Sequence, residues 1–425
     1  TVEDALRAVR EAVREHPVED WRRFLTDYDV MVREGMERHG SVIPFSDHDG
    51  TPYYMLTSME GWRLMCDPAA TSKACYIGPL PVESLFPNTF GLDGEAQEAK
   101  RRFLAGVFQE QMPEDAGAKH ARLAAMRHLA QWQHKAQSGP IDLVPLLRAV
   151  VVDVLSDLLL RTQVPELGAL LEHVLAYSSN LEVALQAKGK LADVMRTALG
   201  VEEPVQLEQV CAAFAMAAYA GLSVALPSIL GELFNDREVL ARGRAAAKNG
   251  DTAFLRAVVL EGLRLHPPVH FLTGHLRADV EVDGHRLAAG TRVKANVHYA
   301  IRHSKELFPD PEAFVPERFV GEESVQRRHP EALYMFAIGE GNGGRGCPGQ
   351  NYALVVLTQV LAAILHHADF EAEPASWDMR NFQLCKAPLQ LRVCHLQASP
   401  AARALLPLQL GQQLAAGPVA AADAE

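Results

Sequence analysis

The sequence lacks the features that mark several classes of protein. Its 41 lysines and arginines are outnumbered by 53 aspartates and glutamates, which gives a net charge of −12, and it contains no long basic run. We therefore expect no nucleic-acid partner, because a phosphate-binding surface needs clustered cations. The six cysteines include no pair with C-x-x-C spacing, so neither a zinc ribbon nor a redox pair is indicated. The first 17 residues lack the apolar core of a signal peptide.

The composition is otherwise that of a large globular protein. Hydrophobic residues make up 48% of the chain and charged residues 22%, enough apolar material to bury a sizeable core. We expect one domain over residues 1–397, followed by an alanine- and leucine-rich tail over 398–425. A cytoplasmic monomer without a membrane span is predicted. Five of the six cysteines are interpreted as small buried hydrophobic residues in a reducing compartment.

Helical periodicity dominates the pattern. Apolar residues recur every three or four positions over 143–160, and residues 206–234 are apolar on almost every side, as in a helix at the centre of a large protein. Pro227 should bend or interrupt that second helix. Alternation over 279–296, with Asp283-Gly284 as a turn, predicts a small sheet. A further helix is predicted over 350–367, and short strands over 383–385 and 389–394.

A glycine-rich loop ends in one of the cysteines. Residues 336–349 read FAIGEGNGGRGCPG, with five glycines in the eight residues before Cys347. Such a loop can turn backbone N–H groups toward the sulfur, and a helix beginning just after it adds its positive end. Both effects stabilise a thiolate, which is the form of cysteine that binds a metal. The alternative is a glycine-rich turn that ends in a buried structural cysteine.

A candidate charge network lies upstream. Glu261 and Arg264 stand one helical turn apart with apolar flanks, and Arg318 in the run PERF offers a second guanidinium to the same carboxylate. A buried network of this kind fixes geometry more than it adds stability. The alternative is a solvated surface ion pair, which contributes little.

Together these motifs resemble those of the cytochrome P-450 family. The E-x-x-R element with two following prolines, the run PDPEAFVPERF and the loop ending in RGCPG occur in the family's order over about residues 255–360. The resemblance implies a mainly α fold with a small β subdomain and haem b held by Cys347 as the iron ligand. The long apolar helix would cross the distal face of the haem. Glu261, Arg264 and Arg318 would form the structural triad behind it.

Further haem contacts follow from the resemblance. Arg345, with Phe336 and Gly349 from the same loop, matches family positions beside the haem, and Arg345 would bind one propionate. The segment GLDGE at 91–95 and the basic run after it resemble the region that meets the other propionate. Arg101 is its expected ligand, and Gln97 stands where the family often has a histidine. His275 is a further candidate propionate donor; its alternative is a solvent-facing histidine near a turn.

Two departures bear on the subtype. Glu340 occupies the position of the usual loop aromatic, and Phe336 lies further back, so the loop is extended as in the bacterial fatty-acid peroxygenase branch. In the long helix, the nearest match to the family's proton-relay segment is Ala220-Gly221 followed by Ser223, which puts serine where the acid belongs. No arginine occurs there to hold a substrate carboxylate, as one does in the peroxygenases.

Three functions are compatible with this pattern. The first is a monooxygenase or peroxygenase acting on a small to medium apolar molecule in a pocket that includes Phe271, Leu272 and Tyr219, with electrons from a separate ferredoxin and ferredoxin reductase or with hydrogen peroxide. The second is a haem-thiolate enzyme that does not activate dioxygen and instead rearranges or dehydrates a hydroperoxide, or couples substrates. The third is a non-catalytic haem-binding or recruitment domain.

Overall fold

The structure is a computed structural model that describes most of the chain. The described residues are 18–47, 50–73, 85–87, 89, 91–109, 114–176, 180–302, 304–305, 307–337, 345–377, 388 and 390–405. The predictions made for residues 1–17, for Glu340, for the strand at 383–385 and for most of the tail, 406–425, lie outside them.

Helices form most of the described chain, as predicted. They are α1 (Glu19–Thr26), α2 (Tyr28–His39), α3 (Met59–Cys66), α4 (Gly94–Gln109), α5 (Glu114–Ala136), α6 (Leu143–Leu155), α7 (Leu167–Leu175), α8 (Leu181–Leu199), α9 (Pro204–Ala212), α10 (Ala220–Asn235), α11 (Arg237–Asn249), α12 (Thr252–Leu265), α13 (Val297–Arg302), α14 (Val325–Arg328), α15 (Gln350–His367) and α16 (Pro400–Arg403). Two π-helical segments, Ser156–Leu160 and Ala213–Tyr219, continue α6 and α9, and two 3-10 segments are Pro316–Phe319 and Pro330–Phe336.

The strands form three small sheets. They are β1 (Val42–Ser46), β2 (Pro52–Leu56), β3 (Thr71–Ser72), β4 (Ile141–Asp142), β5 (Phe271–Leu276), β6 (Val280–Val282), β7 (His285–Leu287), β8 (Arg292–Asn296), β9 (Ala368–Ala372) and β10 (Arg392–Ala398). The largest sheet has the order β1-β2-β8-β5-β3, the second the order β4-β10-β9, and β6 pairs with β7. Asp283 and Gly284 join β6 to β7 with φ angles of 48° and 75°, as a two-residue hairpin turn requires. The predicted hairpin is confirmed.

The long apolar helix is continuous from Pro204 to Asn235 and is called the central helix below. Pro227, which was predicted to bend or interrupt this helix, does not interrupt it. The residues from Leu222 to Gly231 are all buried, and packing on every side outweighs the one backbone hydrogen bond that proline removes. By length and composition this helix could cross a membrane, although no membrane span was predicted. However, 72% of its apolar window is buried inside the protein, as in a core helix.

A second, smaller core lies between α1, α2 and the largest sheet. At its centre is Lys294 on β8, only 1% exposed. Four aromatic rings surround its ammonium group, with centroids 4.1 to 5.6 Å from Nζ: Phe24, Phe45, Tyr53 and Phe271. Burial lowers the pKa of Lys294 to about 8, against the charge of Asp47, which raises it. This residue and its four rings are called the Lys294 cage below.

Candidate active site

The loop that carries Cys347 is held by backbone hydrogen bonds. The Cys347 N–H donates to the Phe336 carbonyl at 2.7 Å, and α15 begins three residues later, where it was predicted to begin. The backbone N–H of Gly349 donates to the sulfur, and Arg101 adds positive charge near it; both lower the pKa of the thiol. Burial is the larger effect, so the pKa of Cys347 is raised overall. At the other end of the loop, Ala337 has the left-handed φ of 58°.

Cys347 opens into a cavity of about 530 Å³. The residues around the sulfur, with Phe336 and Gly349 among them, make one part of its wall, and the central helix makes another part. The residues that the central helix presents to the cavity are Ala213, Met216, Ala217, Ala218, Gly221, Leu222 and Ala225. None of these seven has a hydroxyl or a carboxyl group, so this wall offers no side-chain proton donor.

Cations gather at one edge of the cavity. Buried Arg345 lines it and donates to the carbonyls of Met65 and Thr71, both at 2.6 Å. Arg101 lies behind the loop and donates to the Gly346 carbonyl at 2.8 Å. Both arginines therefore lie beside Cys347, although Arg101 is not among the residues that line the cavity, and their contacts with haem carboxylates stay predictions.

Two lysines that lie outside the predicted set join this group. Lys73 lines the cavity, and Lys100 donates to the Thr89 carbonyl at 2.6 Å. Burial, with a smaller contribution from nearby cations, lowers the pKa of Lys73 to about 8 and the pKa of Lys100 to about 7. With Arg101, Arg345 and Arg277, they make five cations near two carboxylates, Asp93 and Asp67, among the described residues. The edge of the cavity therefore carries unbalanced positive charge.

The predicted charge network is present and buried. Arg264 makes a bidentate pair with Glu261, with N–O distances of 2.7 and 2.9 Å, and both side chains are fully buried. Arg318 approaches the same carboxylate at 3.3 Å, and the Val315 N–H donates to it at 2.9 Å. Arg264 also donates to the carbonyls of Pro311 and Ala313. Because Glu261 and Arg264 are fully buried, the surface-pair alternative is excluded. The network also anchors the segment before Arg318 to α12.

Two of the residues predicted on β5 lie away from the cavity for one reason. Side chains alternate along a strand, and Leu272 lines the cavity as predicted, which turns Phe271 and His275 toward the other face. Phe271 belongs to the Lys294 cage instead. His275 pairs in register with Ser72 and Arg292 and is not among the residues that line the cavity. Between them, Gly274 lies so close to β3 that a Cβ would come within 2.5 Å of the Ser72 carbonyl oxygen.

The predicted catalytic and pocket residues of the central helix are only partly at the cavity. Gly221 lines it, but Ala220 and Ser223 do not. Successive helical residues are about 100° apart, so Ser223 points about 200° away from Gly221, and its hydroxyl donates to the Ala220 carbonyl at 3.2 Å. Tyr219 is also turned away and donates to Glu172 at 2.5 Å. Ala220, Ser223 and Tyr219 therefore lie away from the cavity for which they were predicted.

The remaining predictions concern Gln97 and the cysteines. Gln97 is half-buried on α4, is not among the cavity-lining residues, and its Oε1 has no hydrogen-bond partner within the described part of the chain. Cys66 and Cys211 are buried as expected. Cys394 is exposed, contrary to the prediction, because it lies on the solvent side of β10.

Comparison with known proteins bears on the family. The family model described as cytochrome P450 matches residues 204–395, which include the central helix, the charge network and Cys347. The cyanobacterial CYP120A1, solved with bound retinoic acid, superposes with a TM-score of 0.72 over 88% of this chain and 95% of its own, at 19% identity. A variant of cytochrome P450 OleT in complex with arachidonic acid gives 0.70 over 90% and 97%, at 13% identity. The chain therefore has the cytochrome P-450 fold, and its residues 204–395 match the model of that family.

Curated cytochrome P-450 relatives match over shorter stretches. Indolin-2-one monooxygenase of Zea mays is 38% identical over 123 residues, which is 29% of this chain and 23% of that protein. Thromboxane-A synthase of Mus musculus is 37% identical over 138 residues, 32% and 23% of the two chains. The chain thus spans about a quarter of the length of these curated relatives.

The cavity fits the cofactor of the cytochrome P-450 family. Haem b has an apolar ring, an iron that takes a cysteine thiolate, and two carboxylates at one edge. The structure offers a cysteine in the cavity wall, an apolar helix that lines the same cavity, and unbalanced cations at one edge. The donor types therefore agree with the group part by part.

Proposed function

We propose that this chain is a haem-thiolate oxidoreductase that binds haem b through Cys347 and oxidises a small to medium apolar organic substrate. The observation that carries the proposal is that Cys347 and the apolar face of the central helix line the same cavity. When bound, the haem supplies an iron centre at which oxygen species react, and a thiolate ligand donates electron density to it.

The protein side chains orient and shield this centre. The Gly349 N–H and the charge of Arg101 favour the thiolate, and the bond from the Cys347 N–H to Phe336 fixes the backbone on which the sulfur stands. The apolar face of the central helix excludes water from the reacting space and gives an apolar substrate a surface to contact. The Glu261 network keeps the supporting segment in place.

The central helix favours one class of oxidant. Reaction with dioxygen needs electrons and protons delivered in sequence, whereas a peroxide already carries both. Because the seven cavity-facing residues of this helix include no proton donor, we infer that hydrogen peroxide or an organic hydroperoxide supports turnover better than dioxygen with a separate ferredoxin and its reductase. The same observation favours a second candidate, the rearrangement or dehydration of a hydroperoxide.

Replacement of the ligand cysteine tests the first part. Cys347→Ala should abolish the red-shifted carbon monoxide band of the reduced protein, because that band requires a thiolate on the iron. Cys211→Ala and Cys394→Ala are controls that should keep it, since neither sulfur lies at the cavity. A red-shifted band in Cys347→Ala would refute the assignment.

A hydroxyl placed on the cavity face tests the second part. A Cβ at Gly221 would meet no atom within 4 Å, so Gly221→Ser adds a hydroxyl to the cavity wall without a clash. Val224→Thr is the matched control, because Val224 is buried in the same helix away from the cavity. We expect Gly221→Ser alone to raise product formed per electron from a surrogate reductase. Efficient reductase-driven turnover in the parent protein would contradict the peroxide proposal.

A further inference from the structure

Lys73 lies at the cavity wall without an assigned partner. It follows β3 directly, lines the cavity together with Arg345, and is half-buried. Among the described residues, no carbonyl or carboxylate accepts a hydrogen bond from its ammonium group. A cation in this position is costly unless an anion completes it, because burial disfavours the charged form.

The carboxylate nearest to Lys73 is already engaged. Asp93 accepts hydrogen bonds from the Ser72 hydroxyl, from the backbone N–H of Lys73 at 3.0 Å and from Arg277 at 2.9 Å. Its other oxygen lies 3.9 Å from Arg345. Asp93 therefore balances the arginines and fixes the backbone at Lys73; its charge raises the pKa of Lys73, but it accepts no hydrogen bond from the ammonium group.

Arg345 is the other cavity-lining cation of the described residues. Two of its five N–H groups donate to the carbonyls of Met65 and Thr71, which holds the guanidinium in place. The ammonium group of Lys73 donates to none of the described residues, so all three of its N–H groups are available to a ligand. Burial and the charges of Arg345 and Arg101 lower the pKa of Lys73 to about 8, and an anion placed beside it would relieve that penalty.

We propose that Lys73 binds a carboxylate of haem b, in the place for which the sequence indicated His275. The inference rests on the proposed function, because it takes haem b as the occupant of the cavity. The bond would be charge-assisted, ammonium to carboxylate, which is among the stronger classes of hydrogen bond in proteins. Lys73 then acts as a retention residue for the cofactor and has no part in the chemistry.

The experiment combines a variant with a modified cofactor. Lys73→Met keeps the length of the side chain and removes its charge. Haem b and its dimethyl ester share the ring and the iron, but the ester has no free carboxylate. The measurement is the rate at which each group leaves the holoprotein for excess apomyoglobin, followed by visible absorption. We expect Lys73→Met to lose haem b about tenfold faster than the parent, the size of effect typical for a lost charge-assisted bond, and to lose the ester at the parent's rate.

Two further variants separate charge from position. Lys100→Met removes a buried cation of the same group that donates to Thr89 and does not line the cavity. It should change the rate for haem b much less than Lys73→Met does. Lys73→Arg should restore slow loss, because an arginine can reach the same carboxylate.

The results that overturn the inference are distinct. Equal acceleration for haem b and the ester would mean that Lys73 acts through packing, and equal effects of Lys73→Met and Lys100→Met would mean general electrostatics. If haem loss were unchanged while binding of a fatty acid weakened, the carboxylate would be that of a substrate. Failure of the proposed function itself would appear earlier, as a parent protein without the thiolate band.

Discussion

The Lys294 cage makes a quantitative prediction about stability and pH. A fall in the pKa of Lys294 from 10.5 to about 8 corresponds to about 3 kcal/mol, at about 1.36 kcal/mol for each tenfold change in proton affinity. The four rings attract the ammonium group and offset part of the cost of burying it. We therefore take about 3 kcal/mol as the upper end of the expected effect.

The sign follows from proton linkage. Below pH 8 the lysine is protonated in both the folded and the unfolded chain, and the burial penalty is fully present. Between pH 8 and 10.5 the unfolded chain keeps a proton that the folded protein has released, so the free energy of unfolding rises with pH. Above the unfolded pKa the penalty is gone. The contribution of Lys294 is thus largest at high pH and is lost as the pH falls through about 8.

Lys294→Met isolates this effect. The free energy of unfolding would be measured by urea denaturation with circular dichroism, at several values of pH from 7.5 to 10.5, for the parent and the variant. The difference in the free energy of unfolding between parent and variant removes the contribution of every other titrating group. Lys248→Met, at an exposed lysine on α11, is the control for the loss of a lysine charge. We expect the parent to gain up to about 3 kcal/mol relative to Lys294→Met across this range. A difference that does not change with pH would refute the depressed pKa.

Three further predictions concern the site. Glu261→Gln should lower the free energy of unfolding by about 3–5 kcal/mol, because it leaves buried guanidinium groups without their carboxylate. Glu317→Gln, at an exposed position, should lower it by less than about 0.5 kcal/mol. Similar losses in the two variants, measured by denaturation, would contradict the network. Ala337→Gly should stabilise the protein by about 1–2 kcal/mol, since only glycine adopts a left-handed φ without strain; a lower melting temperature would count against that conformation. Arg345→Ala should lower haem content on purification, unlike Arg102→Ala on the exposed side of α4.

Features that depend on residues close in sequence were predicted well. The Glu261–Arg264 pair needs only one turn of helix to meet, the hairpin at Asp283 needs only two residues with positive φ, and α15 has the predicted bounds because a glycine turn precedes it. The family resemblance added the longer-range position of Arg318. Each of these features carries its geometry in a short stretch of chain.

Features that depend on which face an element presents were predicted poorly. Phe271 was predicted to line the pocket, and His275 was proposed from the family resemblance, but both lie on the face of β5 opposite Leu272, which lines the cavity. Ser223 and Tyr219 were misplaced because the orientation of the central helix depends on its neighbours. Lys73 and Lys294 gave no signal, since a lysine in a sequence looks exposed until the chain folds around it.

Four residues of the π-helical segment Ala213–Tyr219 line the cavity that Cys347 also lines. In a π-helix each N–H bonds five residues back, so such a segment holds one residue more than an α-helix would between the same two ends. Removing one residue from it can restore ordinary α-helical bonding while both flanks keep their packing. Inside a buried α-helix, inserting or deleting one residue turns all the following side chains by about 100° and disrupts their packing. Here the removal of one residue would mainly change the shape of the cavity wall. The central helix thus contains a position at which evolution can alter the shape of the pocket without rebuilding the core.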